Sequence, residues 1–410
     1  MFKKNHIKFV LNNSPRMPKL LRKENFKDSL LRSLFYDGML SLAELSERCQ
    51  KSIPNVTSAI SELLKEGYVT EHKLAASTGG RRPTKFSLSV EKGLVIVAVA
   101  MDQLVTRVSI QDLASRTLTG VHTLNLNVYE DENALEKFVS FVQSVINISE
   151  IPSERILGVG IAMPGFINVE EGINYSFFTD TEENLSNYLS RQFALPVYID
   201  NDSSAIALAE LRVGAAKGLD NVMVVNFGWG IGLGMIVNGN LFRGHTGYAG
   251  EFSHIPLSTN DDLCLCGKKG CLEVDSSLLV IAKRARTALD EGVQSSLGRL
   301  FEDPTKMPGE HLLNAAVKGD PLAVSLLSDA SFMIGKGLAT LIHIMNPERI
   351  VISGRGAEAG NIILAPIYQA LNEFCIPKLM EHTEIVVSTL GYNAELLGAG
   401  TIVIEKCEFK

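Results

Sequence analysis

The texture of the chain changes near residue 90, and that change limits it to a two-part fold. Residues 28–67 place apolar side chains at three-to-four spacing, the pattern of short helices, whereas from Leu94 onward short apolar runs alternate with helical stretches, the pattern of packed α/β layers. Charge divides at the same place. Residues 1–90 hold 16 Lys and Arg against 8 Asp and Glu, the remainder holds 23 against 38, and the whole nets −7. A basic front on an acidic body is the distribution of a nucleic-acid-binding module joined to a regulatory unit. A solvated basic tail would give the same counts, so the residues within the front must decide.

Three helices are expected there. The first covers residues 28–36 and breaks at Asp37-Gly38; the second covers 41–50, with Leu42, Leu45 and Cys49 on one face. After a tight turn at Lys51, Ser52 is placed to cap a third helix over 53–66, Pro54 is tolerated in its first turn, and Gly67 closes it. Ile53, Val56, Ile60, Leu63 and Leu64 form its core stripe, which leaves Asn55, Thr57, Ser58 and Ser61 opposite. Two helices joined by a short turn, the second with a short polar face, describe a helix-turn-helix. An ordinary helical hairpin would not be followed by a strand at 68–70, a basic turn Gly79-Gly80-Arg81-Arg82-Pro83, and a returning strand at 86–88. That is a wing, and Arg81 and Arg82 at its tip suit phosphates or a narrow minor groove. Residues 1–90 are thus expected to be a winged helix-turn-helix bound to double-stranded DNA through Asn55, Thr57, Ser58, Ser61, Arg81 and Arg82.

The body, residues 91–410, begins with strands at 94–100, 105–111 and 117–126 and a helix at 132–146. A strand at 156–162, a helix at 183–193, a strand at 197–199, a helix at 204–212 and a strand at 222–226 follow, and the alternation continues to the end. This order predicts an α/β unit with a mixed sheet in each of two lobes. The longest uninterrupted apolar stretch, residues 94–101, is far short of the ~20 residues that cross a bilayer. No apolar segment follows the basic residues 1–8, so a soluble, cytoplasmic protein without a membrane partner is expected.

His254, Cys264, Cys266 and Cys271 supply one nitrogen and three sulfurs, with Gly267 and Gly270 to fold the chain around an ion. Thiols clustered this way in a reduced compartment favour tetrahedral Zn²⁺ of the Cys₃His type over disulfides or incidental cysteines. Cys49, Cys375 and Cys407 are isolated and are expected to pack inertly. The glycine run from Gly228 to Gly234 follows a strand and permits close backbone approach to a ligand, although a tight hairpin would use the same spacing. Asp200-Asn201-Asp202 is equally open, between a ligand site and a helix N-cap cluster.

Taken together and in order, the Ala162-Met163-Pro164-Gly165 turn, the Asn201-Asp202 pair, the glycine run and Gly250-Glu251-Phe252-Ser253-His254 resemble the ROK family of repressors, open reading frames and kinases. The knot Cys264-x-Cys266-Gly267-x-x-Gly270-Cys271-x-Glu273 and the segment Ile352-Ser353-Gly354 extend that likeness over most of the chain. The resemblance implies an actin-like, ribonuclease-H-like sugar-kinase fold in two lobes braced by structural zinc. It implies that Asn201, Glu251, His254 and Glu273 take sugar hydroxyls and that Asp202 matches the kinase base, with His254 binding zinc through one ring nitrogen and facing a hydroxyl with the other.

One departure bears on function. Family kinases carry a D-x-G-G-T phosphate loop, where this chain has Asp102-Gln103-Leu104-Val105-Thr106, and Trp229 stands in the second glycine loop where a small hydroxyl residue is usual. Bulky side chains in place of both glycines remove the anion cradle. The expectation is therefore a non-enzymatic transcriptional repressor of carbohydrate-utilisation genes, a homodimer or homotetramer released from its operator by a sugar or sugar phosphate, with Asp202 catalytically silent. An ATP-dependent sugar kinase with an added module is the alternative, and a regulator controlled by a protein partner is a third reading.

Overall fold

The structure, a computed structural model, describes residues 25–72, 84–303 and 306–409. The front opens with α1 (Phe26–Asp37), β1 (Leu40–Ser41), α2 (Leu42–Arg48) and α3 (Ile53–Lys65), closed by β2 (Val69–His72) and β3 (Lys85–Leu88) in a sheet of order β1-β3-β2. Ser41 caps α2 reciprocally with Glu44, Gln50 takes a positive φ in the turn before α3, and Gly67 does the same after it. The expected stripe on α3 is corrected at its start. Ile53 is the first helical residue and is 50% exposed, and the buried stripe runs Val56, Ala59, Ile60 and Leu63 with Leu64 beside it. Asn55, Thr57, Ser58 and Ser61 are exposed together on the other side. Strands β2 and β3 pair in antiparallel register from Val69–Leu88 to His72–Lys85, as a wing requires. Arg81 and Arg82 lie outside the described residues.

The first lobe contains β4 (Val95–Met101), β5 (Val105–Asp112), β6 (His122–Asn125), α4 (Ala134–Ile148) and β7 (Ile156–Met163). It continues through a small hairpin, β8 (Ile167–Asn168) and β9 (Ile173–Asn174), to α5 (Leu185–Phe193) and β10 (Val197–Asn201). Its sheet runs β10-β7-β4-β5-β6, parallel across β10, β7 and β4 and antiparallel beyond. Every residue of the apolar run β4 is buried, the mark of a strand covered on both faces. Strand β6 is shorter than the run of apolar and polar residues at 117–126 suggests, because only Thr117 bridges before it.

After α6 (Asp202–Val213), the second lobe contributes β11 (Val222–Phe227), β12 (Ile231–Val237) and β13 (Asn240–Leu241). Helices α7 (Glu273–Ser276), α8 (Leu278–Asp290), α9 (Leu297–Leu300), α10 (Pro308–Val317) and α11 (Pro321–Met345) lead to β14 (Arg349–Ser353). Then come α12 (Asn361–Phe374), α13 (Pro377–Met380), β15 (Glu384–Val387) and α14 (Ala394–Lys406), and the second mixed sheet has the order β13-β12-β11-β14-β15. Helix α11 has the length and apolarity of a membrane span, yet its Leu327, Ile334, Leu338 and Ile342 are buried in the second-lobe core.

Helices α6 and α14 pack on each other between the two sheets. Small residues allow it. A Cβ at Gly398 would run into the Ala205 carbonyl, one at Gly160 into the Ala399 carbonyl, and ones at Gly232 and Gly234 into Ser203 and Ala207 of α6. Two of the glycines in the 228–234 run are therefore spent on helix packing. The same helices carry the front module. Val403, Ile404 and Cys407 join Leu30, Leu31, Leu34 and Phe35 in one core, so a boundary near residue 90 in sequence is no boundary in packing.

Candidate functional site

The end of β10, the start of α6, the loop after β11 and α7 converge on a cleft between the lobes, a cavity of about 340 Å³. Asn201, Asp202, Glu251, His254 and Glu273 all line it. Asn201 is also the N-cap of α6: its Oδ1 accepts from the amides of Ser203 (3.0 Å) and Ser204 (3.3 Å), and its Nδ2 donates to the Gly165 carbonyl (3.3 Å). The N-cap reading of the Asp200-Asn201-Asp202 segment therefore holds, and the capping residue also borders the cleft. Asp200 turns away from the cleft's chemistry to pair with Arg243, 2.7 Å from one oxygen.

Asp202 heads α6. One of its oxygens accepts from the Ser203 amide (2.7 Å), the other from Asn226 Nδ2 (3.4 Å), yet burial raises its pKa to about 6. Glu273 Oε2 accepts from the Ile231 amide (2.9 Å), and burial pushes that carboxyl up to about 7. Glu251 stands exposed at the rim, where burial of its surroundings and the charge of Asp202 hold it near 7 as well. Proton-bearing and ionised carboxyls side by side can both donate to and accept from the hydroxyls of a polyol.

His254 connects this cleft to the cysteine knot. Its Nδ1 lies 3.6 Å from Cys264 Sγ and its Nε2 3.8 Å from Glu251, while burial lowers its pKa and favours the neutral ring a metal requires. The ligand atoms of His254, Cys264, Cys266 and Cys271 all lie within 4.8 Å of one another, and Cys266 and Cys271 sulfurs are 3.6 Å apart. A tetrahedron with Zn–S bonds of about 2.3 Å puts sulfurs about 3.8 Å apart, so the donor set fits that ion in number, type and spacing.

At the far end of the cleft the β4–β5 hairpin closes on itself. Asp102 Oδ1 accepts from the amides of Leu104 (2.8 Å) and Val105 (2.7 Å), which occupies the donors a phosphate loop would present. Asp102 Oδ2 then receives Arg355 Nη2 at 2.7 Å from the other lobe. Arg355 also holds Glu310 (2.5 Å), donates to the Tyr392 hydroxyl, and stacks on Trp229 and Tyr392 at 4.6 and 3.7 Å. Trp229 is 3% exposed and belongs to the second-lobe core beneath this guanidinium. Sequence reasoning missed the roles of Asp102, Glu310, Arg355, Tyr392 and Glu395; the one available signal was that Arg355 directly follows the Ile352-Ser353-Gly354 segment.

A family model described as "ROK family" matches residues 112–406, and one described as "Winged helix-turn-helix DNA-binding" matches residues 29–70. The chain is similar to a protein named "Xylose repressor" from Caldicellulosiruptor bescii, 27% identical over 94% of this chain and 96% of that one. It is 33% identical to a glucokinase from Halalkalibacterium halodurans over 60% of this chain and 76% of the kinase. Among solved structures, a ROK family transcriptional regulator superposes with a TM-score of 0.74 at 23% identity, covering 92% of this chain and 95% of its own.

Proposed function

This chain belongs to the ROK family, and on that premise we propose that it is a sugar-responsive repressor whose affinity for operator DNA falls when a sugar occupies the cleft. The observation that carries the reading is α6. Its first residue, Asp202, stands in the cleft, and its last turn holds Arg212 under the DNA-binding module, 4.2 Å from the Phe35 ring and donating to the Tyr36 carbonyl at 3.2 Å. A 12-residue helix is a strut of about 18 Å. Helix α14 runs beside it, and Arg32 of α1 donates to the carbonyls of Ile404 (2.9 Å) on that helix and of Cys407 (3.0 Å) just past its end. The module therefore rests on the elements that form the cleft. A sugar that prefers one lobe arrangement and DNA that prefers another become linked, by typically 1–3 kcal/mol in both directions.

In this reading Asn201, Asp202, Glu251, His254 and Glu273 take the sugar hydroxyls. One structural Zn²⁺ on His254, Cys264, Cys266 and Cys271 fixes the His254 ring so that its other nitrogen faces Glu251 and the cleft. Asn55, Thr57, Ser58 and Ser61 meet base edges, Arg81 and Arg82 meet the DNA backbone, and a palindromic operator requires at least a homodimer. The similarity to a xylose repressor over nearly the whole of both chains supports the assignment. The chain is not a kinase in this account, because phosphoryl transfer depends on positioned donors around the phosphates and the hairpin amides are already bonded to Asp102.

The test pairs operator binding with sugar binding. Fluorescence anisotropy on the chain's own upstream DNA should find a sugar that raises the operator Kd roughly 5–150-fold. Arg212→Met keeps the length and loses the clasp, so the sugar should still raise the melting temperature while releasing less DNA. A panel in which no sugar or sugar phosphate alters operator affinity sinks the proposal, and full release by Arg212→Met removes α6 as the route.

A further inference from the structure

We infer that the effector is an uncharged sugar, and that a clasp centred on Arg355 excludes its phosphate esters; the inference rests on the sugar-responsive reading above. The cavity is continuous from Glu251 and Glu273 past Asp202 to Asp102, Arg355 and Glu395. A phosphate carried on the hydroxyl beside Asp202 would point into the Asp102–Arg355 end. Carboxyl groups of Asp102, Asp202, Glu251, Glu273 and Glu395 line the space, and among its described lining residues Arg355 bears the one guanidinium or ammonium group.

That guanidinium is committed. It is 6% exposed, divided between Asp102 and Glu310, hydrogen-bonded to Tyr392 and covered by two rings. Backbone donors of the hairpin, of the first turn of α6 and at two points of the glycine run are committed as well. The hairpin amides of Leu104 and Val105 serve Asp102, the α6 amides of Ser203 and Ser204 serve Asn201, the Ile231 amide serves Glu273, and the Gly228 amide serves the Gly230 carbonyl at 2.9 Å. A phosphate dianion entering here meets carboxyl groups, and the one guanidinium that could answer its charge is already held in buried ion pairs. Like-charge juxtaposition of this kind weakens binding, whereas a neutral hydroxyl donates to the same carboxyl groups.

The zinc-loaded full-length protein is titrated with D-glucose and N-acetyl-D-glucosamine, each beside its 6-phosphate, and with D-xylose beside its 1-phosphate, by calorimetry and operator release. At least one parent sugar should bind, with its ester weaker by roughly 100-fold or more. In Asp102→Asn/Glu310→Gln, whose amides still accept from the Leu104, Val105 and Met307 amides, Arg355 is freed and the gap should narrow to about tenfold or less. Glu310→Gln alone, remote from the hairpin, should narrow it partway and guards against a folding defect in the double variant. An ester that binds as tightly as its parent overturns this inference and leaves the sugar-responsive reading standing. An unchanged ratio in both variants overturns the role of the clasp, and binding by neither class overturns the sugar-responsive reading together with this one.

Discussion

Glu395 is buried with Arg107 3.0 Å away, yet burial outweighs that pair and, with the charges of Asp102 and Asp202 also facing it, raises its pKa to about 7. Arg355 faces it too and lowers it only in part. A carboxyl whose folded pKa exceeds its unfolded value of 4.5 stabilises the fold below that value and loses the contribution as pH rises through about 7. Asp202, raised from 3.8 to about 6, acts in the same direction. Melting temperature of the sugar-free protein should therefore fall between pH 4.5 and 7, and Glu395→Gln should flatten that fall by on the order of 1 kcal/mol per unit of displaced pKa. An identical pH profile in the variant would refute it. The cysteine knot gives a second residue-scale test: elemental analysis should find one zinc per chain, and Cys266→Ser should lose both metal and melting temperature, since binding and folding are coupled. Protein purified without chelator that carries under about half an equivalent would count against the site.

Among the elements, α3 was legible in sequence to within one residue of its bounds, except that Ile53 stands exposed and does not join its buried stripe. Its polar face is divided by hydrogen bonding that spacing cannot reveal: Thr57 donates to the Ile53 carbonyl (2.8 Å) and Ser61 to the Thr57 carbonyl (2.7 Å), back-bonds that keep both hydroxyl protons on the helix. Asn55 and Ser58 stand exposed on the first two turns, where a recognition helix meets base edges. Asn55→Ala should therefore cost about 1–3 kcal/mol of operator affinity and relax the base preference at one position, and Thr57→Val should cost less. Equal losses in the two variants, measured by competition with non-specific DNA, would show that the back-bond does not matter. The glycine run behaved differently. Alternate glycines announce close approach, but only the packing decided that Gly232 and Gly234 receive α6 while Gly230 lies against Glu273.

At the scale of the whole molecule, the lobes are joined across the cleft by the Asp102–Arg355 pair, with Leu104 of the first lobe packed against the second-lobe core. A coupled ADP-release assay with ATP and common hexoses should therefore detect no turnover approaching the ~10 s⁻¹ of ordinary enzymes; such turnover would mean that the hairpin opens to nucleotide. Residue order alone carried the winged module, the two mixed sheets and the Cys₃His cluster, whereas the five residues around the cleft came only from the resemblance to the ROK family. The first three are announced by local periodicity, turn chemistry or short spacing, which act over a few residues. The folded chain alone decided that Arg355 bridges to Asp102 across the cleft, that Arg212 reaches the Tyr36 carbonyl 176 positions away and the Phe35 ring beside it, and that the C-terminal helix completes the core of the N-terminal module. Those contacts join segments between 176 and 372 residues apart, and their energies depend on burial and on which charges share a low-dielectric space, quantities that exist only once the chain has folded.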